Sequence, residues 1–523
     1  MELPFVVATL TRRGLLSPGS PVRIAAQLAA LRTWGWSLAG ELRQATARDP
    51  DRTAIIDDHR GEISYQELLD RCERLAKALR GSHGIEPGHR VGVLCRNHAG
   101  MIEATVATAL LGADPVLVNT GLSGPQLVTV AREQELRVLL HDAEFAELVA
   151  ALPPAVARIE ERRQERLIAT APPAVLTPPS RDGRTIVLTS GTTGTPKGAR
   201  RRTPTGFGPL VSIIDRIPVH CHDRVFIAAP LFHTWGYAAL QLSFALRATV
   251  VLHRRFDPVA TLRGIETYRC GVLFAVPVML QRLLEAAPPA RPPLRVVAVS
   301  GSALPGALAT GFMDRFGDVL YNLYGSTEVS WASIATPADL RRAPTTAGRP
   351  PHGTRLAILD RYGEPVPPGQ VGRIFVGNEM LFEGYTAGGG RQSHDGLLDT
   401  GDLGHLGPDG LLFVDGRQDD MIVSGGENVF PAEVEDLLAG LPQVREVAVI
   451  GVPDARYGQR LAAFLVLRPG ETLDPDAVRE YVRRYRARFS VPRDVVFLPY
   501  LPRNATGKVL TPELRRQHGG PTR

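Results

Sequence analysis

Short hydrophobic runs alternate with amphipathic stretches along most of the chain. From about residue 52, strand-like runs at 53–56 and 91–95 are followed by helical patterns over 65–79 and from Ile102 onward. The alternation continues through 225–229, 249–252, 273–275 and 296–299. Such a pattern is typical of a layered α/β fold with largely parallel strands.

The pattern changes after about residue 344. Gly, Pro and Asp separate brief strands at 356–359, 373–376 and 411–414, which predicts a small β-rich subdomain. Strands at 447–452 and 461–466 and a helix near 475–488 follow. We therefore predict an N-terminal extension (1–45), a large N-terminal domain (46–416), a hinge (417–420) and a small α+β C-terminal lid domain (421–523).

Residues 18–43 predict one amphipathic helix, because Ile24, Leu28 and Leu31 fall on a single helical stripe. The helix either docks on its own domain or lies in a membrane interface near a lipid substrate. The sequence leaves both interpretations open.

Composition indicates a globular protein of more than one domain: the chain has 523 residues, of which 44% are hydrophobic. Its formal charge of +6 does not imply nucleic acid as a partner, and we expect the run Arg200-Arg201-Arg202 to be solvated. The four cysteines are far apart and predict free thiols rather than a zinc site. Without a secretion signal or an apolar run long enough to span a membrane, we expect a soluble, cytoplasmic protein, with peripheral membrane contact as the alternative.

The sharpest local signal follows the apolar run 185–188. It reads Thr189-Ser190-Gly191-Thr192-Thr193-Gly194-Thr195-Pro196-Lys197-Gly198. Three glycines allow backbone N–H groups to converge on an anion, hydroxyls add donors, and Lys197 adds a positive charge. This pattern predicts a triphosphate cradle that is not a Walker loop, because Gly198 rather than Ser or Thr follows the lysine.

The cradle resembles the signature of the adenylate-forming (AMP-binding) superfamily, which includes acyl-CoA synthetases. Further family motifs occur in the same order, at 324–328 (Tyr-Gly-Ser-Thr-Glu), 400–402 (Thr-Gly-Asp), 416–428 and 502–508 (Pro-x-x-x-x-Gly-Lys). The resemblance covers roughly residues 50–515. It implies ATP, Mg²⁺ and coenzyme A as ligands.

The resemblance also implies roles for individual residues. Glu328 would hold Mg²⁺, with Thr193 and Lys197 on the β- and γ-phosphate oxygens. Asp402, assisted by Arg417, would bind the ribose hydroxyls. The adenine would contact Tyr324, Gly325, Thr327 and the loop that contains Gly301, Ser302 and Ala303.

Lys508 is the leading catalytic candidate, because a flexible ammonium can reach both the carboxylate and the α-phosphate. For the second step, the family implies rotation of the C-terminal domain about Asp419. That rotation would withdraw Lys508 and bring Ser424, Gly425 and Gly426 beside the pantetheine.

The segment 231–239 resembles the acid-binding segment of the family, with His233 beside the carboxylate. The stretch 230–246 contains no acidic side chain, which disfavours an amino acid. Trp235, Gly236 and the segment starting at Val276 would line an apolar channel, and we therefore predict a medium- or long-chain fatty acid. The alternatives are a fatty acyl-AMP ligase that serves a carrier protein and a catalytically silent nucleotide-binding protein.

Overall fold

The structure, a computed structural model, describes residues 3–173, 176–189, 197–286, 291–424, 427–454, 457–504 and 507–518. The chain starts with helices α1 (Leu3–Arg12), α2 (Pro21–Trp34) and α3 (Leu38–Arg48). The prediction of one helix over 18–43 is wrong, because α2 ends at Trp34 and the Ser37 hydroxyl accepts a hydrogen bond from the Gly40 N–H to begin α3. Most of α2 is exposed, whereas α3 is buried against the large domain.

Two sheets and their covering helices make up the next part of the chain. Their elements are β1 (Thr53–Asp57), β2 (Gly61–Ser64), α4 (Tyr65–His83), β3 (Arg90–Leu94), α5 (Ala99–Leu110), β4 (Asp114–Leu117), α6 (Gly124–Glu133), β5 (Leu136–His141), α7 (Ala146–Ala150), β6 (Ala157–Glu160), α8 (Glu161–Thr170), β7 (Ile186–Thr189), β8 (Lys197–Arg200), α9 (Gly208–Arg216), β9 (Arg224–Ile227), α10 (Thr234–Ala245), β10 (Thr249–Leu252), α11 (Pro258–Thr267), β11 (Val272–Ala275), α12 (Pro277–Ala286), β12 (Val296–Val299), α13 (Gly306–Phe316), β13 (Leu320–Tyr324), β14 (Ser333–Ala335) and α14 (Pro337–Arg342).

The first sheet has the order β14-β13-β12-β11-β9-β10-β1-β2, and the second has the order β6-β5-β3-β4-β7-β8. Among the described residues of these sheets, the edge strands β14, β2 and β8 pair antiparallel with their neighbours, and the other strand pairings are parallel. The predicted layered α/β fold is confirmed. The inner strands β10, β11 and β12 are buried on both faces, as parallel strands between helices must be.

A third, antiparallel sheet follows, where the sequence predicts a β-rich subdomain. It contains β15 (Arg355–Leu359), β16 (Gly372–Gly377), β17 (Ser393–His394), β18 (Leu397–Leu406) and β19 (Leu412–Arg417). A single 3₁₀ turn, Gln418–Asp420, leads out of β19. We call residues 3–417 the large lobe.

The terminal lobe, residues 422–518, forms a small α+β unit. It contains β20 (Ile422–Ser424), β21 (Glu427–Val429), α15 (Pro431–Ala439), β22 (Val444–Asp454), β23 (Gly458–Leu467), α16 (Pro475–Tyr485), β24 (Asp494–Phe497) and α17 (Thr511–Gln517). The sheet order is β21-β20-β23-β22, with β24 parallel to β23. Two hydrophobic clusters of its own, one on each face of the sheet, stabilise this lobe.

All four cysteines are free; Cys72, Cys95 and Cys270 are buried and Cys221 is half-buried. Across the described ranges, no helix combines the length and the apolar character that crossing a membrane requires.

Candidate active site

A cavity of about 1260 Å³ lies where the first and third sheets meet the terminal lobe. The parallel strands β9, β11, β12 and β13 all end at this edge, and the loops that follow them form one wall. The carboxyl edge of a parallel sheet is where α/β proteins bind ligands. The cavity therefore brings together residues that are far apart in sequence. Those predicted as site residues are Thr189, Lys197, His233, Trp235, Gly301, Ser302, Ala303, Tyr324, Gly325, Thr327, Glu328, Asp402, Arg417, Asp419 and Lys508.

Thr189 and Lys197 frame the predicted phosphate cradle. They are paired across the β7–β8 hairpin, and the Thr189 hydroxyl donates to the Lys197 carbonyl at 3.2 Å. Both line the cavity, with the Lys197 ammonium 5.6 Å from the centre of the Tyr385 ring. The predicted ligands Ser190, Gly191, Thr192, Thr193 and Gly194 lie outside the described residues.

Asp402 on β18 is the centre of a polar cluster. The Tyr324 hydroxyl donates to Asp402 Oδ2 at 2.6 Å, and Arg417 Nε lies 3.4 Å from Asp402 Oδ1. Strand pairing sets this geometry, because Asp402 is directly opposite Arg417 in the β18–β19 ladder. Burial raises the pKa of Asp402, and the Tyr324 hydrogen bond and Arg417 oppose that shift.

Glu328 is a buried carboxylate, 7% exposed, in the cavity wall after β13. Its Oε1 accepts a 2.8 Å hydrogen bond from the Tyr385 hydroxyl. Mg²⁺ in nucleotide sites is usually held by one or two carboxylates together with phosphate oxygens and water. Glu328 fits that chemistry: it would bind the ion, which neutralises charge on the phosphates.

His233 precedes α10 at the same edge of the sheet. Burial, followed by the nearby positive charges of Lys508 and Arg201, lowers the pKa of His233 to about 4. The imidazole is therefore neutral at physiological pH. The next residue, Thr234, is 3.0 Å from Thr327, hydroxyl to hydroxyl, and this contact ties the start of α10 to the loop that carries Glu328.

The expectation that the 200–202 arginine run is solvated is wrong for Arg201. This side chain is only 8% exposed and lines the cavity, whereas Arg202 is exposed. Nη2 donates to the Ser330 hydroxyl at 3.3 Å, and Nη1 has no partner in the described part of the chain. The burial has a signal in the sequence: strand alternation places Arg201 on the same face as Ala199, which is fully buried.

Lys508 reaches the cavity from the terminal lobe. Its loop is closed by hydrogen bonds between Asn504 and Lys508, and Gly507 has a φ of 82°. A Cβ on Gly507 would lie 2.5 Å from Val278 Cγ1 of the large lobe, so only glycine permits this approach.

The Lys508 side chain is exposed to the cavity. The protein around it nevertheless displaces enough water to lower the pKa of its ammonium. Arg417 lowers the pKa further, while Asp402, Glu328 and Asp420 act in the opposite direction. The ammonium is thus close to Asp402 and Glu328, which the family resemblance assigns to the ribose and to Mg²⁺.

Three other predicted residues do not line the cavity. Gly236 is buried, and a Cβ there would lie 2.2 Å from the Pro230 carbonyl oxygen, so this glycine permits helix packing rather than widening a channel. Val276 lies behind the wall, while its neighbours Pro277 and Val278 line it. Ser424 lies in β20, away from the cavity, and Gly425 and Gly426 are outside the described residues.

Sequence reasoning missed two further cavity residues. Tyr385 orients Glu328, although 57 positions separate them in sequence. Glu41 on α3 lines the cavity while being only 5% exposed. Nothing local in the sequence marks either residue, because each is brought to the site by the packing of a distant element.

Comparison with known proteins agrees with this geometry. The chain matches the family model of AMP-binding enzymes over residues 42–386 and that of the AMP-binding enzyme C-terminal domain over residues 433–508. It is 35% identical to a feruloyl-CoA synthase of Amycolatopsis sp. over 484 residues, which is 90% of this chain and 96% of that protein. It is also 35% identical to an indoleacetate–CoA ligase of Aromatoleum aromaticum, covering 90% and 95% of the two chains.

A solved structure has the same architecture. The o-succinylbenzoate CoA synthetase of Bacillus subtilis, in complex with its acyl-adenylate intermediate, superposes with a TM-score of 0.81 at 30% identity. The match covers 92% of this chain and 98% of that one. The chain therefore belongs to the family of AMP-binding, adenylate-forming enzymes, as an AMP-forming acid–thiol ligase that uses ATP and coenzyme A.

Proposed function

We propose that this ligase activates a carboxylic acid with an elongated apolar body, and that its first substrate class is aromatic acids. The observation that carries the proposal is the position of Lys508, which faces Glu328, Asp402 and His233 across one cavity. The relatives named above are ligases for ferulate, indoleacetate and succinylbenzoate, all aromatic acids.

The charges around His233 suit a carboxylate. Lys508 and Arg201 are close enough to influence its titration, and the imidazole itself stays neutral. Among the described residues no carboxylate forms an ion pair with Arg201, so a bound acid would compensate a buried positive charge. This arrangement supports acid binding at the His233 end of the cavity.

In the first step, a carboxylate oxygen attacks the α-phosphorus of ATP. A new P–O bond forms, the bond to the β-phosphate oxygen breaks, and pyrophosphate leaves. Lys508 would offset the negative charge that develops on the α-phosphate and the attacking carboxylate, from a position already set before the reaction. Lys197 would contact the leaving phosphates, and Asp402 with Arg417 would hold the ribose.

In the second step, the coenzyme A thiolate attacks the acyl carbonyl and AMP leaves. We propose that the terminal lobe rotates about Asp419 for this step, removing Lys508 and bringing Ser424 and the Gly425-Gly426 pair to the acyl group. The 3₁₀ turn at Gln418–Asp420, the single connection between the lobes, supports a pivot there. The same pivot supports the proposed boundary between domains 46–416 and 421–523.

The fatty-acid prediction is the second candidate, and the depth of the cavity favours it. Ala238, Leu242 and Ala245 line the cavity along the whole of α10. That helix extends for about 16 Å at about 1.5 Å per residue. A medium-length alkyl chain would fill this depth.

A panel assay tests the proposal. Pyrophosphate release is measured with ferulate, indoleacetate, benzoate, octanoate and dodecanoate, each with and without coenzyme A. We expect acid-dependent release with aromatic acids, and acyl-CoA and AMP in equal amounts once coenzyme A is added. Preference for dodecanoate would replace aromatic acids by fatty acids as the substrate class. Pyrophosphate release without thioester formation would indicate an acceptor other than coenzyme A. No release with any acid would refute the proposal.

A further inference from the structure

The end of the cavity remote from His233 contains a buried carboxyl group, that of Glu41 on α3. It is 5% exposed, and the surrounding wall includes Trp36, Leu242 and Ala245. An acidic side chain among apolar residues at the end of a substrate cavity has no role in the transfer of an acyl group from AMP to a thiol.

The contacts of Glu41 leave part of the carboxyl group available. Gln44 Nε2 donates to Glu41 Oε2 at 3.2 Å and to the Phe244 carbonyl at 3.0 Å. Within the described ranges, Glu41 forms no ion pair and its Oε1 accepts no hydrogen bond. Burial raises the pKa of Glu41 to about 8, so near neutral pH the group is mostly protonated and can both donate and accept a hydrogen bond.

Helix α10 gives the distance between His233 and Glu41, because these two residues lie near its opposite ends. Thr234 is at the start of the helix, beside His233. Phe244 is near its end, and its carbonyl accepts a hydrogen bond from Gln44, which also donates to Glu41. Ten residues separate Thr234 from Phe244, which corresponds to about 15 Å. Glu41 would therefore meet the far end of an acid whose carboxylate is held at His233.

We propose that Glu41 selects acids that carry a hydroxyl group at the end remote from the carboxylate. This inference rests on the proposed function and names a substrate class for the same site. An acid without such a group leaves the buried carboxyl unsatisfied, which penalises that acid relative to its hydroxylated analogue.

Matched acid pairs test the inference. The pairs are 4-(4-hydroxyphenyl)cinnamate with 4-phenylcinnamate, and ω-hydroxydodecanoate with dodecanoate; each pair differs by one terminal hydroxyl, and each hydroxylated acid is long enough to approach Glu41 over about 15 Å. For the pair that the wild-type protein activates better, we expect kcat/KM to favour the hydroxylated acid by about tenfold or more. Glu41→Gln, which keeps hydrogen-bonding atoms, should retain much of the preference, and Glu41→Leu should abolish or reverse it.

The matched control is Glu67→Gln, which changes an exposed glutamate on α4 and should leave the ratio unchanged. An unchanged ratio in Glu41→Leu, or no preference in the wild-type protein, would overturn the role of Glu41 while leaving the ligase function intact. Activation of none of these acids by a wild-type protein that activates another acid of the panel would also overturn the role of Glu41 alone, and activation of no acid at all would overturn both.

Discussion

The two lobes contribute to the cavity in different ways. The large lobe holds Glu328 and Asp402 in a wall built from sheet edges, with hydrogen bonds from Tyr385 and Tyr324 that fix both carboxylates. The terminal lobe contributes Lys508 from a loop on a small unit that follows one 3₁₀ turn. A preorganised wall and a cation on a separate lobe would suit a reaction in two steps, because movement of that lobe would let the same cavity serve two different chemistries in turn.

An ion pair on the surface connects the two lobes. Arg445 Nε and Nη2 donate to the two Glu285 oxygens at 2.8 Å each. This ion pair is about one-third exposed, and exposed pairs contribute only about 0–1 kcal/mol. This ion pair therefore adds little to the stability of the lobe orientation seen here.

The largest effect is expected from Lys508→Ala. Formation of acyl-AMP should fall by about two orders of magnitude or more, because the charge on the α-phosphate loses its preorganised partner. Thioester formation from supplied acyl-AMP should continue. Single-turnover assays of each step measure this, with Arg516→Ala, an exposed cation on the same lobe, as the control. Equal loss in both steps would refute the claim that Lys508 acts in adenylation and not in thioester formation.

Asp419→Pro should produce the converse pattern. Proline restricts the backbone at the proposed pivot, so adenylation should persist while thioester formation falls by about tenfold or more. Asp419→Ala, which leaves the backbone free, is the matched control and should support both steps. If the proline variant retains both activities, rotation about this residue is excluded.

The ion pair between the lobes should have a smaller effect. Glu285→Gln weakens the orientation that presents Lys508, and we expect the ratio of thioester rate to adenylation rate to rise by up to about fivefold. Asp314→Asn is the control, since it disrupts an exposed ion pair with Arg341 inside the large lobe. A ratio that moves equally in both variants would show that the Glu285 pair has no part in lobe orientation.

The last prediction concerns the stability of the large lobe. The pKa of Glu41 is about 8 in the folded protein against an ordinary value of 4.5. The contribution of Glu41 to the free energy of unfolding is therefore fully present below pH 4.5. It is lost as pH rises through 8, at up to about 1.4 kcal/mol per pH unit.

Glu41→Gln removes this dependence. Its Tm relative to the wild-type protein should rise by a few degrees between pH 5 and pH 8, as scanning calorimetry would measure. A Tm difference that is constant over this range would show that Glu41 is not buried as a neutral acid.

Sequence reasoning predicted the fold class correctly, and it selected motif residues that the fold brings together. Strand runs of buried Val, Ile and Leu gave β10 and β12 their observed bounds, and the motif residues Lys197, Glu328, Asp402 and Lys508 all line one cavity. Short-range patterns carry this information because it is local: strand periodicity, glycine-rich turns and fixed spacings.

The remaining features depend on tertiary packing. Glu41 lines the site only because α3 docks on the end of α10, and one predicted helix over 18–43 had to break for it to do so. The far end of the cavity is equally non-local, since its wall combines residues of α3, α10 and α12. Residues on elements that meet only after folding have no signature in a single sequence.

Isotope transfer tests the central claim most directly. The acid is labelled with ¹⁸O in its carboxylate and converted to the thioester with ATP and coenzyme A, and the products are analysed by mass spectrometry. If the carboxylate attacks the α-phosphorus in this cavity, one labelled oxygen appears in AMP and none in pyrophosphate. Unlabelled AMP would contradict the account, because the acid would then have been activated by another route.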